Sequence, residues 1–195
     1  MANSTTQTSI INRALQLLGY QAVASITQVG DRGAKAMNRA YEPVKISLLT
    51  ENYWAFSIKR ASLAEDAVKP VHTKVYRYQL LGDYLMLAPE DQVADFQLAN
   101  DWIIEGSHIV TNDSAPILIR YISNSITENM FHPLFSEAFS YSLAVNTCEE
   151  LTQSNGKIAT LVELYERQVS LAKKRNAILI AKPKAPVSPW ISKRG

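Results

Sequence analysis

The sequence is short of most of what site chemistry is built from. It has a single cysteine, Cys148, so no intrachain disulfide can form, which suits a reducing compartment. Cys148 lies in an apolar-periodic stretch, Ala144-Val145-Asn146-Thr147-Cys148, with no pKa-lowering cluster evident nearby, and reads as a small buried filler. The three histidines, His72, His108 and His132, are far apart and form no i, i+4 pair. A metal site would need tertiary convergence, and they read instead as polar loop and strand-end residues. Glycine is scarce at seven residues, and neither G-x-x-x-x-G-K-[ST] nor G-x-G-x-x-G occurs, which speaks against a phosphate-cradling loop. No stretch approaches the ~20 apolar residues of a bilayer-crossing helix. The start, Met1 to Thr6, lacks the basic residues and apolar core of a signal peptide. The expectation is a protein made and kept in the cytoplasm, or released by lysis, with no catalytic residue, no cofactor, no metal and no membrane partner.

What is present is a foldable body and an unusual tail. The apolar fraction is 47% and the charged fraction 19%, ordinary for a soluble globular chain. A chain of 195 residues can bury a core without staples. Charge is unevenly spread. Seven basic residues and no acidic one lie between Lys173 and Gly195, against a net +2 for the whole chain, so residues 1–172 carry a net −5. A mildly acidic body with a basic tail suits an arm that docks on something acidic.

Apolar spacing predicts helices near 9–18, 31–52, 133–153 and 157–181. Thr8 or Ser9 is the expected cap of the first, and Gly19 its stop. Pro43 inside the second predicts a kink or a break. Pro133 suits the first position of the third, and a short loop at Ser154-Asn155-Gly156 makes the last two helices an antiparallel hairpin. Between them the period changes to two. Trp54 to Lys59, Lys74 to Leu80, Tyr84 to Leu87, Trp102 to Glu105, His108 to Thr111 and Ile117 to Ile122 read as strands. Gly106-Ser107 reads as a two-residue hairpin turn. Short turns of this kind favour an antiparallel sheet.

Other patterns have plain structural readings. Glu149-Glu150, Glu163-Glu166 and Glu128-Glu137 could be a glycosidase acid and base, but all except Glu128 fall on helices, which carry solvated glutamates on their outer faces. The strip Lys74-Val75-Tyr76-Arg77-Tyr78 could stack on single-stranded nucleic acid. On a strand, Val75 and Arg77 face one way and Lys74, Tyr76 and Tyr78 the other, which favours a sheet covered on one side. Trp54 and Phe56 read as core.

The tail is not explained by packing. Pro183, Pro186 and Pro189, at steps of three, favour an extended left-handed conformation. Such a segment loses less entropy on docking than a flexible one. Trp190-Ile191 supplies an apolar anchor, and Lys182, Lys184, Lys193 and Arg194 supply charge. These nine residues are the candidate partner-binding site.

The ordered pattern resembles a known family, the head-to-tail adaptor proteins of short-tailed bacteriophages, also called tail tubular protein A. The resemblance rests on Tyr53-Trp54-Ala55-Phe56-Ser57-Ile58-Lys59-Arg60-Ala61-Ser62-Leu63, on Tyr76-Arg77-Tyr78-Gln79-Leu80 leading to Asp83-Tyr84-Leu85, and on the hairpin Trp102 to Asn112. Pro133-Leu134-Phe135-Ser136-Glu137-Ala138 and Tyr165 to Asn176 complete it. It spans roughly residues 8–180 and contains packing and turn residues only. The family often has a proline before the Asp of the turn, where this chain has Leu81-Gly82. The resemblance implies a helical bundle with a β-rich insertion, and a ring, commonly of twelve copies, between the portal protein and the tail nozzle protein. DNA would pass along its channel without sequence-specific binding, and the C-terminal extension would clasp the portal. The expected location is the virion head-tail junction, and the host cytoplasm during assembly.

The expected fold class is α+β. Residues 1–53 and 128–181 form an antiparallel helix bundle, residues 54–127 a β-rich insertion, and residues 182–195 an extended docking arm. The expected function is a structural virion adaptor. The competing readings are a nucleic-acid-binding module using the basic tail and, behind it, a cell-wall glycan hydrolase.

Overall fold

The computed structural model describes residues 5–28, 30–71, 74–88 and 101–180. Its first helix, α1 (Gln7–Leu18), begins where Thr6 and Ser9 cap each other. Thr6 Oγ1 accepts from the Ser9 N–H at 3.1 Å, and Ser9 Oγ accepts from the Thr6 N–H at 2.9 Å. Two donors that a helix start leaves open are thereby satisfied. The cap is therefore Thr6, not Thr8 or Ser9. Gly19 ends the helix in the left-handed region, at φ 75°, as expected of glycine there.

The second helix, α2 (Arg32–Thr50), is capped by Asp31, whose carboxylate accepts from the Ala34 N–H at 2.7 Å. Gly33 lets its first turn approach α1, since a Cβ at that position would stand 2.9 Å from Leu15 Cδ2. The helix runs unbroken through Pro43. Met37 and Tyr41 before the proline and Val44, Leu48 and Leu49 after it are all buried. One continuous apolar stripe packs on the bundle, and that packing outweighs the hydrogen bond which proline cannot make.

The sharpest departure from expectation follows. Trp54 to Lys59 alternates as a strand does, yet Ala55–Ser57 is a 3-10 turn and the first strand, β1 (Ile58–Leu63), starts only at Ile58. Trp54 drops back into the bundle instead, with its indole N–H donating to the Leu48 carbonyl at 2.8 Å. A buried indole whose donor is satisfied outweighs strand propensity here.

The inserted β region comprises β1, β2 (Tyr76–Gln79), β3 (Tyr84–Leu87), β4 (Trp102–Glu105), β5 (His108–Thr111) and β6 (Ile117–Ser123). All pairings among them are antiparallel. They form two sheets, of order β1-β6-β3 and β2-β5-β4. The turn at Gly82-Asp83 therefore does not close a hairpin; it carries the chain from one sheet to the other. Gly106-Ser107 does close one, pairing Glu105 with His108, with Gly106 at φ 59°. Parity along β6 divides its apolar residues between two cores. Ile117, Ile119 and Tyr121 face a small core shared with Leu63, Tyr78 and Ile109, while Ile122, on the other face, joins the core of the bundle.

The third helix, α3 (Pro133–Thr152), starts with Pro133 at its first position and His132 as its cap. It packs against α1, α2 and the last helix, α4 (Asn155–Ile180). A helix with neighbours on several sides must be apolar on several sides, which accounts for the broad face of Phe135, Ala138, Phe139, Leu143, Ala144, Cys148 and Leu151, all buried. Gln153, left-handed at φ 52°, turns the chain into α4, which begins two residues before the expected Lys157. The fold is α+β: an antiparallel helix bundle built from the N- and C-terminal helices, with an antiparallel β-rich region inserted.

Candidate partner-binding site

Every residue of the expected docking arm, Lys182, Pro183, Lys184, Pro186, Pro189, Trp190, Ile191, Lys193 and Arg194, lies outside the described residues. The surface at the root of the arm, around the last turns of α4, is described.

There the aromatic side chains of the bundle are piled together. Trp54 meets Phe135 edge-on at 4.9 Å between ring centroids, Phe56 meets Phe135 at 4.8 Å, and Phe131 meets Phe135 at 4.9 Å. The 3-10 turn that presents Trp54 and Phe56 is pinned to α4 by one side chain. Asn176 Oδ1 accepts from the Ala55 N–H at 2.8 Å, and its Nδ2 donates to the Tyr53 carbonyl at 2.7 Å. Sequence reasoning missed this residue. The available signal was an amide at a position continuing the apolar row Val169, Ala172, Asn176, where a polar group must find a buried partner.

Between the turn, the start of α3 and the end of α4 lies a groove of about 430 Å³, with Phe56, Met130, Phe135, Ala172 and Leu179 among its walls. Its rim is apolar and open to solvent. Met130 is 55% exposed and Leu179 52%, and the neighbouring Ile178 is 64% exposed. His132 also lines the groove. Its Nδ1 accepts from the Leu134 N–H at 3.2 Å, capping α3. Burial, and then the nearby Arg175 charge, lower its pKa from the usual value, so the neutral, cap-forming ring is favoured.

Glu137 accepts from Arg13 at 2.7 Å, Glu128 from the Tyr41 hydroxyl at 3.0 Å, and Glu150 holds Arg39. The structure thus gives these glutamates separate partners, and the groove is lined by no carboxylate. His108 lies near Asp66, which also accepts from Arg77 at 2.8 Å. His72 lies outside the described residues. Among the described residues no group of three or more His, Cys, Asp or Glu side chains could hold a metal ion, and no helix is long and apolar enough to cross a membrane. Cys148 is fully buried.

Of the expected strand Lys74 to Leu80 only Tyr76–Gln79 is strand, and Lys74 and Val75 lie ahead of it. Tyr78 is buried and Val75 is half exposed, and Lys74 pairs with Asp101. The folded body also carries a small basic face around a cavity at the start of α2, formed by Arg32, Lys35 and Arg39. Glu150 engages two of these, its carbonyl bonding Arg32 and its carboxylate Arg39.

Comparison with known protein families finds no match to this chain, and comparison with curated proteins finds none either.

Proposed function

We propose that this chain is a structural head-to-tail adaptor subunit, without catalytic activity. Its copies form a ring between the portal and the tail nozzle of a short-tailed bacteriophage and continue the DNA channel. The observation that carries the reading is the architecture. A helix bundle interrupted by an antiparallel β-rich insertion is what the resemblance of residues 8–180 implies, and it occurs here in the expected order. Two further features support it. The body is net acidic over residues 1–172, so a channel wall built from it would make few salt-sensitive phosphate contacts. The exposed apolar rim at the end of α4 lies where the arm departs, as an assembly surface would.

In this reading residues 182–195 clasp the portal, with Trp190-Ile191 as the anchor and the lysines and Arg194 as steering charges. The deciding experiment is the mass of the protein by light scattering with and without purified portal. A complex whose mass corresponds to a ring of this chain on the portal supports the proposal, and no complex at micromolar concentrations refutes it.

The nucleic-acid-module reading keeps one specific support, the Arg32, Lys35 and Arg39 face. Two of its three cations are already engaged by Glu150, so the adaptor reading predicts weak duplex binding that comes mainly from residues 182–195. Submicromolar binding at physiological salt by a chain with Lys182, Lys184, Lys193 and Arg194 all changed to Gln would favour the module instead.

A further inference from the structure

The chemistry of the groove at the end of α4 selects the kind of side chain it can hold. The amide of Asn176 is used at both ends by the 3-10 turn, and the Trp54 N–H by Leu48. What the groove presents is therefore chiefly hydrocarbon and aromatic surface: Phe56, Phe135, Ala172, Leu179 and Met130. Such a surface recognises an apolar side chain, with a large aromatic one contributing most. The volume of about 430 Å³ has room for an indole together with a branched aliphatic side chain. Trp190-Ile191 is that pair, and it follows in the same chain.

The distance along the chain decides whose groove it reaches. Leu179 is on the rim of the groove, and nine residues, 181–189, separate Ile180 from Trp190. Prolines at 183, 186 and 189 favour a polyproline II path, which advances about 3.1 Å per residue. An arm following that path would carry Trp190 on the order of 30 Å from the end of α4, away from its own root.

We infer that the groove formed by the 3-10 turn, the start of α3 and the end of α4 receives Trp190-Ile191 from a second copy of this chain. The contact is head-to-tail: the arm of one copy enters the groove of the next, and each copy still offers a free arm or groove at its end. Contacts of this type close into rings when the rotation between copies allows. The inference rests on the reading of residues 182–195 as a docking arm. It adds that, before the portal is met, the neighbouring groove holds the same two side chains, so portal and neighbour compete for them.

The test uses full-length chains without portal. One variant loses the anchor, Trp190→Ala with Ile191→Ala; another blocks the groove with a charge on its exposed rim, Leu179→Glu, with Met130→Glu as a second version should the first not fold. Light scattering should find the unaltered chain growing in mass with concentration and each variant held at the mass of one chain. Mixing the anchor variant, whose groove is intact, with the groove variant, whose arm is intact, should restore a two-chain species. A labelled peptide of residues 182–195 should bind the anchor variant at least tenfold more tightly than a chain carrying both sets of changes. A mixture that stays at the mass of one chain overturns the inference, and points to an arm that folds onto its own groove. Self-association that survives both sets of changes overturns it as well. Attachment to the portal is measured separately, so its failure is not confused with failure of the exchange between copies.

Discussion

The bundle and the β region of this protein hold themselves together by different means. The bundle has one large apolar core, from Ile10 and Leu15 in α1 to Val169 and Ala172 in α4, with the Trp54, Phe131 and Phe135 pile at one end. The β region has a small core around Tyr78, Ile109, Ile119 and Tyr121 and adds carboxylates that each gather several donors. Asp83 accepts from Lys59 at 3.0 Å, from Ser123 at 2.7 Å and from the Tyr121 hydroxyl at 3.1 Å. Asp66 takes Arg77 through two nitrogens. Where short strands bury little apolar area, directional polar bonds fix how the pieces meet. Where long helices bury a great deal, packing contributes most and polar bonds such as those of Asn176 fix local detail. The two regions should therefore fail differently.

The largest effect is expected in the bundle. Trp54→Ala or Phe135→Ala removes a fully buried ring from the pile and should cost about 3–5 kcal/mol, a large share of the ~5–15 kcal/mol that holds a typical domain together. Denaturant unfolding reads it directly. A loss below about 1 kcal/mol would mean that the pile is loosely packed and would erase the contrast between the regions.

Next comes the hub of the β region. Asp83→Ala strands three donors and should cost about 1–3 kcal/mol. Burial works against the charged form of Asp83, but its bonds from Ser123, Lys59 and Tyr121 win and hold its pKa below the usual 3.8. A depressed carboxylate contributes stability that is present above its unfolded value and lost as pH falls through the folded one. The unaltered protein should therefore weaken below about pH 3.8, and the Asp83→Ala chain should show a shallower acid slope. Burial, and then the bond to Asp83 and its charge, push the Tyr121 hydroxyl up to about 12.

A smaller effect, at higher pH, belongs to the bundle. His132 caps α3 through Nδ1 and has a lowered pKa. The unfolded chain then binds its proton first as pH falls through the ordinary value of 6.5, so stability is complete above that value and declines below it until the folded histidine is protonated too. His132→Ala should cost about 1 kcal/mol at pH 8. His132→Asn should keep a cap and remove this step from the stability profile below about pH 6.5. An unchanged profile in His132→Asn would show that the step belongs to another group.

The smallest effect on stability is expected from the arm. Trp190→Ala with Ile191→Ala should leave the melting temperature unmoved while weakening attachment to the portal at least tenfold. A drop in melting temperature of several degrees would show that the arm belongs to the fold of its own subunit and would remove its separation from both regions.

Much of the bundle was legible from periodicity, because a helix that buries one face must repeat its apolar residues every three to four positions. Gly19, Asp31 and Pro133 marked boundaries through backbone chemistry that acts within a single turn. The 3-10 turn at Ala55–Ser57 was not legible. Its large-small alternation suits a strand as well, and only the Leu48 carbonyl and the Asn176 amide, six and over a hundred residues away, decide otherwise. The division of the β region into two sheets was hidden for the same reason: Gly82-Asp83 has the chemistry of a turn whether the strands it joins pair with each other or part. The groove was hidden more deeply still, because its walls come from α3, α4 and the 3-10 turn, and no local signal marks an absence of atoms between them.

By itself the sequence determined the helices, most of the strands, the uneven charge and the proline spacing ahead of Trp190-Ile191, because each depends on neighbours within a few residues. Only the tertiary structure decided that Pro43 would be carried inside an unbroken helix, that Trp54 would enter the bundle rather than a sheet, that β6 would serve two cores, and that an apolar groove would open beside the root of the arm. Those outcomes depend on how much surface distant segments bury against one another, a quantity that no local stretch of chain contains.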